Sequence, residues 1–323
     1  MGLIDNYNRK LNYLRLSITD RCNLRCFYCI NDSIKFVPHK DILTYEEIIK
    51  LVKIAVDLGV SKVRITGGEP LLRAGVYDFI EEISQIQGIK DLSLTTNGIY
   101  LKENLDRIIK TGIKRLNISL DTLSPEKYKK TTGKDKFNKV WESIMAAHEK
   151  GIDPIKINVV AIKDLNFDEL TQFAELTYKY PFHIRFIEYM PMGNSDIKGD
   201  MLASEIRSRI ETVGKLLPIK KELIDGPAER FKLKGAIGEI GFISPVSKHF
   251  CGECNRLRLT ADGMLRPCLL SDHKIDLKTP LREGLNSEDL KNVFLKAATF
   301  KQKQHHLDEP SDKINSKMNS IGG

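Results

Sequence analysis

The chain has 323 residues, a formal net charge of +8, 41% hydrophobic and 29% charged residues. That length suits one large domain or a large and a small one, and the composition excludes collagen-like and low-complexity classes. No run of about 18 apolar residues is present and the opening Met1–Asn8 lacks an apolar leader core, so a cytoplasmic protein without a membrane partner is expected. The positive charge fits either a solvated lysine-rich surface or an anionic partner, a nucleotide triphosphate or a nucleic acid. Charge alone does not choose between them.

Taken in chain order, the first element is a strand over residues 13–18. The loop after it carries Cys22-Asn-Leu-Arg-Cys26-Phe-Tyr-Cys29. Three thiolates within eight residues wrap one metal centre, either an iron–sulfur cubane or a zinc ion completed by a remote His or Asp. A cubane held by three cysteines keeps one iron open, and the amino and carboxylate groups of S-adenosylmethionine (SAM) suit that position. Thr44 and Glu47 form a capping box for a helix with Ile48, Leu51, Val52, Ala55 and Val56 on one face and Gly59 at its end. A strand over 62–66 leads into Thr66-Gly67-Gly68-Glu69-Pro70, whose glycines allow close backbone approach or simply make a turn. Further strands are predicted over 91–95, 114–120, 155–162 and 182–189. Helices are predicted over 73–87, 101–111, 137–150 and 166–179. This alternation predicts a parallel sheet with right-handed crossovers and an active site at the C-terminal strand ends. Basic residues within these predicted strands are placed where a cation can point into a barrel.

Residues 191–200 read as a linker, dividing the chain into 1–200 and 201–323. The second part holds Cys251-Gly-Glu-Cys254 and Cys268. Again three cysteines are available, and His249 or His273 is close enough in sequence to complete a zinc site instead. A strand over 255–259 puts Arg256 and Arg258 on one face beside the metal, an arrangement suited to phosphate and not needed by structural zinc.

The first cysteine loop and the TGGEP run resemble the signature of the radical SAM superfamily. With FCGECNRLRLTADGMLRPCL in the second half, nearly the whole chain resembles the GTP 3′,8-cyclase family. The resemblance implies a partial (β/α)6 barrel whose open side is covered by a smaller C-terminal α+β domain. It implies two [4Fe-4S] clusters, one on Cys22, Cys26 and Cys29 and one on Cys251, Cys254 and Cys268. It assigns SAM contacts to Tyr28, Gly68, Ser119 and Met190. GTP contacts fall to Arg15, Arg64, Thr95, Lys156, Arg256 and Arg258, with Arg15 also catalytic. The family also ends in Gly-Gly, here Gly322-Gly323, and inserts that tail into the active site. Ile30-Asn31 departs from the Met-Pro that follows the third cysteine in many members. The implied reaction is cyclisation of GTP at the start of molybdenum cofactor synthesis. An external one-electron reductant, a downstream pterin synthase, and a monomer or homodimer without stable nucleic acid are expected. Modification of an RNA or peptide by the same first cluster, and a non-enzymatic zinc protein, are the rival readings.

Overall fold

The computed structural model describes residues 2–30, 34–113, 115–192, 201–220, 226–305, 314–316 and 318–322. Asn31 and Gly323, and all of the linker beyond Met192, lie outside the described residues.

Six strands follow one another in parallel: β1 (Tyr13–Ser17), β2 (Lys62–Thr66), β3 (Asp91–Thr96), β4 (Arg115–Ser119), β5 (Ile155–Ala161) and β6 (His183–Glu188). The crossovers carry α1 (Tyr45–Asp57), α2 (Val76–Ser84), α3 (Leu105–Lys110), α4 (Pro125–Thr132), α5 (Phe137–Glu149), α6 (Lys163–Asn166) and α7 (Leu170–Lys179). The capping box on α1 forms in both directions, with Glu47 N donating to Thr44 Oγ1 at 3.2 Å and Thr44 N to Glu47 Oε2 at 2.7 Å. Its face of Ile48, Leu51, Val52 and Ala55 is fully buried, and Gly59 ends the turn at φ +96°.

The C-terminal region contributes α8 (Ala203–Glu211), β7 (Leu216–Pro218), β8 (Glu229–Leu233), β9 (Glu239–Ile243), β10 (Arg256–Leu259), β11 (Met264–Arg266), β12 (Ile275–Asp276), α9 (Lys278–Arg282), α10 (Ser287–Thr299) and α11 (Met318–Ile321). It extends the sheet at both edges, in the order β12-β11-β10-β1-β2-β3-β4-β5-β6-β9-β8-β7. β10 runs parallel to β1 and β9 parallel to β6, while the outer strands turn back antiparallel. The sheet is open: its end strands β12 and β7 are not neighbours. The expected open α/β fold with a C-terminal part is present, and that part joins the sheet at its two edges.

Period-two alternation divides the sheet by chemistry. Leu14, Leu16, Val63, Ile65, Leu94, Leu116, Ile118 and Ile157 belong to the large core shared with the crossover helices. The intervening positions are polar and cationic. Arg258, Arg15, Arg64 and Ser93 are successive register partners across β10, β1, β2 and β3, and Asn117, Lys156 and His183 across β4, β5 and β6. The apolar face fixes the register, and the register in turn places the cations side by side.

Candidate active site

One cavity of about 310 Å³ is lined by Cys22, Cys26, Cys29, Cys251, Cys254 and Cys268 together. The two cysteine groups, separated by more than 220 residues of sequence, therefore open onto the same space.

The first group sits on the loop after β1 and is held from three sides. Within the loop, Cys29 N and Ile30 N both donate to the Cys26 carbonyl at 2.9 Å. Beside it, Arg25 N and Phe27 N donate to the Thr132 and Thr131 carbonyls at the end of α4, at 2.8 and 3.2 Å. From β2, Gly68 N donates to Thr19 O at 2.6 Å and Glu69 N to Arg21 O at 2.8 Å. A Cβ on Gly68 would lie 2.6 Å from the Arg21 carbonyl carbon. The glycines are thus required first by the backbone of the cysteine loop. Glu69 accepts from Thr96 Oγ1, Asn97 N and Leu71 N, and burial pushes its carboxyl up to about 7. Burial also pushes Cys22, Cys26 and Cys29 up, the last to about 12. Without a positive metal centre these three remain thiols.

The second group begins in a 3₁₀ turn, Cys251–Glu253, and is buttressed by Lys301, whose Nζ donates to Arg256 O at 2.9 Å and Pro267 O at 2.7 Å. Burial raises the Cys254 thiol, but Arg256 and Lys301 outweigh it and bring it down to about 6. Arg256 Nη2 lies 3.5 Å from Cys254 Sγ, and its guanidinium stacks over Phe250 at 4.7 Å. At Cys254 the thiolate, the form that ligates iron, is favoured by Arg256 and Lys301, whereas burial pushes the Cys251 thiol up.

The donor sets fit cubanes better than single ions. Among the described residues, no three Cys, His, Asp or Glu side chains converge closely enough to hold one metal ion. A tetrahedral zinc gathers its sulfurs at about 2.3 Å, whereas a four-iron body spreads three thiolates over its corners. His249 stacks edge-on with His305, and His273 lies against Phe300.

The cavity also brings together Arg15, Arg64, Arg256, Arg258, Thr95, Tyr28, Gly68, Ser119 and Met190. Lys156 is not among its lining residues; it is buried beside Arg185, which does line the cavity. Burial would raise the Tyr13 phenol, yet Arg64, Arg15, Lys62 and Arg256 outweigh it and bring it down, a measure of the positive field. Burial, then Arg15 and Arg256, hold Arg258 well below the usual guanidinium range. The Thr95 hydroxyl and the Asn158 carbonyl are buried without a hydrogen-bond partner among the described residues, which is rare unless a ligand supplies one. Tyr28 donates to Asp121 Oδ2 at 2.5 Å, and burial raises that carboxyl to about 6.

Arg185, Lys301, Asp121, Asn158 and Asn319 are among the lining residues that sequence reasoning passed over. Arg185 was accessible to it, being an alternate position of the predicted strand 182–189. Lys301 was not, since it follows α10 in a segment without pattern.

The tail reaches the same space. Arg258 Nη1 donates to Gly322 O at 2.8 Å, while Met318 and Ile321 pack with Met190, Met192, Leu270 and Cys268.

Comparison with known proteins agrees with this geometry. Residues 16–177 match the family model of the radical SAM superfamily, and residues 182–307 match Molybdenum Cofactor Synthesis C. A GTP 3′,8-cyclase of Thermodesulfovibrio yellowstonii is 47% identical over 99% of both chains. One from Desulforamulus reducens is 46% identical over 99% of this chain and 100% of its own. The chain belongs to the GTP 3′,8-cyclase family of radical SAM enzymes. Among solved structures, Streptococcus suis SuiB bound to S-adenosylmethionine superposes with a TM-score of 0.64 at 16% identity, covering 88% of this chain and 69% of that one. That likeness is one of fold. As a member of the radical SAM superfamily the chain uses an iron–sulfur cluster and SAM. Among the described residues, no helix is long and apolar enough to cross a membrane.

Proposed function

We propose that the chain converts GTP to (8S)-3′,8-cyclo-7,8-dihydroguanosine 5′-triphosphate, the first step of molybdenum cofactor biosynthesis. The observation that carries this is the opening of both cysteine triads onto one cavity lined by Arg15, Arg64, Arg256 and Arg258. A zinc protein has no need of the shared chamber, and four arginines gathered in one cavity suit a compact triphosphate.

In this reading Cys22, Cys26 and Cys29 hold one [4Fe-4S] cluster, and Cys251, Cys254 and Cys268 the other. When bound, the first cluster and SAM supply a carbon-centred radical able to take an unactivated hydrogen. The chain's own task is placement and exclusion, because such a species reacts with whatever C–H lies nearest. Tyr28, Gly68, Ser119 and Met190 bind SAM. Arg15, Arg64, Arg256 and Arg258 take the charge of the triphosphate, and Thr95 offers its unpartnered hydroxyl to the nucleotide. Lys156, held neutral beside Arg185 while the site is empty, takes up a proton when the triphosphate binds. Arg15, on the central row of β1, is also placed to act on the reacting nucleotide. An external one-electron donor reduces the first site, a pterin synthase consumes the product, and the chain works as a monomer or homodimer in the cytoplasm without bound nucleic acid.

The test is anaerobic reconstitution followed by GTP, SAM and dithionite. About eight irons per chain, with 5′-deoxyadenosine and the cyclised nucleotide as products, are expected. Zinc at the second triad, or no SAM cleavage with GTP, overturns the reading.

A further inference from the structure

Asn319 is a tail residue to which no role has yet been given. It is 3% exposed and lines the cavity, at the end where the first cysteine loop lies. Its backbone N–H donates to Cys29 Sγ, and its side-chain Nδ2 donates to the Asp20 carbonyl at 3.1 Å. A carbonyl only accepts, so that contact fixes which end of the carboxamide is nitrogen. What remains is Oδ1, a buried acceptor with no partner among the described residues.

A buried acceptor left without a donor is costly, and the site offers a reason for it. The cavity is rich in guanidinium donors at its other end, yet none reaches Asn319. The missing partner is therefore a donor brought by a ligand. GTP carries donors on its guanine and ribose, but in the proposed reading its triphosphate is drawn to the arginines and not to the first cysteine loop. SAM brings an α-amino group, which keeps N–H donors when it occupies the open iron beside the three cysteines. The neighbourhood agrees. Asp20, which holds the Asn319 side chain, precedes Arg21, whose carbonyl is the close neighbour of Gly68. The Asp20–Arg21 backbone thus joins Asn319 to the glycine turn already proposed for SAM.

We propose that Asn319 is a SAM-binding residue, its Oδ1 accepting a hydrogen bond from the α-amino group of SAM while its main chain supports Cys29. This rests on the function proposed above and adds that the tail completes the cofactor site as well as touching Arg258.

The experiment measures SAM affinity by equilibrium dialysis on the anaerobic, iron-loaded full chain, comparing wild type with Asn319→Leu, an isostere without polar atoms. A deaminated SAM analogue, carrying hydrogen in place of the α-amino group and so offering no donor there, is measured in parallel. The expected result is SAM binding weakened tenfold or more in Asn319→Leu, with binding of the analogue changed less than twofold. Equal losses for both ligands would mean that Asn319 only anchors the tail. Unchanged SAM affinity would mean that it does not touch the cofactor, and either result overturns the inference. Should Asn319→Leu fail to load iron, Asn319→Ala carries the same comparison. Failure of the iron-loaded wild type to bind SAM sinks the proposed function itself, a distinguishable outcome.

Discussion

Arg9 Nη1 donates to the carbonyl oxygen of Cys251 at 2.5 Å, across almost the whole sequence. The same guanidinium reaches Lys303 O at 3.1 Å and Gln302 O at 2.6 Å, and its Nε pairs with Asp5 at 2.5 Å. One buried fork therefore ties the N-terminal turn, the second cysteine loop and the segment after α10 into one body. Arg9→Met leaves Asp5 buried without its cation and frees three carbonyls, a loss on the order of 3 kcal/mol. Urea unfolding is expected to show it, and reconstitution is expected to leave about four irons per chain, on the first triad. Arg9→Lys keeps the charge without the fork and is expected to fall between the two. Full iron loading in Arg9→Met would remove the clamp.

Gly68 has a different burden. Alanine there places a Cβ within 2.6 Å of the Arg21 carbonyl carbon, where backbone meets backbone and neither side yields cheaply. Gly68→Ala is expected to cost about 2 kcal/mol and to displace the Thr19–Arg21 segment that leads into Cys22. Loss of the first cluster's SAM-induced spectral change, with the second cluster retained, is the expected signature. A variant with wild-type stability and SAM response would show that the segment moves aside freely.

The strands, the capping box and the inward-facing arginines were legible because each follows from a local period or a cap. Arg256 and Arg258 share a face of β10 as their spacing required. Helix α4 was not legible: Pro125–Thr132 reads PEKYKKTT, with only Tyr128 as a large apolar residue. It forms because Ser124 caps it, Pro125 starts it, and its buried Tyr128, Thr131 and Thr132 pack beneath the cysteine loop. The attachment of β9 and β10 to opposite edges of one sheet was also hidden. Strand pairing at such separation depends on tertiary fit, which no local pattern carries. Nor does sequence reveal that Lys156 stops short of the cavity wall, since alternation gives a side chain's face but not its depth.

Lys156 leads to a pH prediction. Burial lowers its ammonium, with Arg185, Arg115, Arg64 and Lys62 adding, to about 6. Its folded value is depressed, so the folded chain holds it neutral while the unfolded chain protonates it below about 10.4. Stability from this group is present above the unfolded value, is lost as pH falls, and levels off below about 6. Lys156→Met is expected to be more stable than wild type at pH 7, by on the order of 4 kcal/mol, with a flatter profile between pH 6 and 10. Binding of a polyanion reverses the bias, so GTP is expected to draw in a proton near pH 7. Calorimetry in phosphate and in Tris, whose ionisation heats differ, measures that uptake. It should vanish in Lys156→Met, and an uptake that persists would assign the proton to another group.

Gly322 closes the chamber under two constraints that only glycine meets. Its φ is +69°, in the left-handed region, and an added Cβ would lie 2.8 Å from Thr66 Cγ2 and 2.9 Å from Ser17 Cβ. Alanine pays about 1 kcal/mol for the backbone alone, before displacing the end of β1 or β2. The cheaper response is for the tail to leave, breaking the bond from Arg258 Nη1 to Gly322 O. Ile321 and Met318 would then uncover Met190, Met192 and Cys268, admitting water to a space whose chemistry depends on excluding it. Gly322→Ala is therefore expected to expose the tail to hydrogen exchange while both clusters stay loaded. The yield of cyclised nucleotide per 5′-deoxyadenosine should fall severalfold, because cofactor cleavage continues while substrate placement fails. Unchanged exchange in residues 318–322 together with an unchanged product ratio would show that the tail's close fit has no part in catalysis.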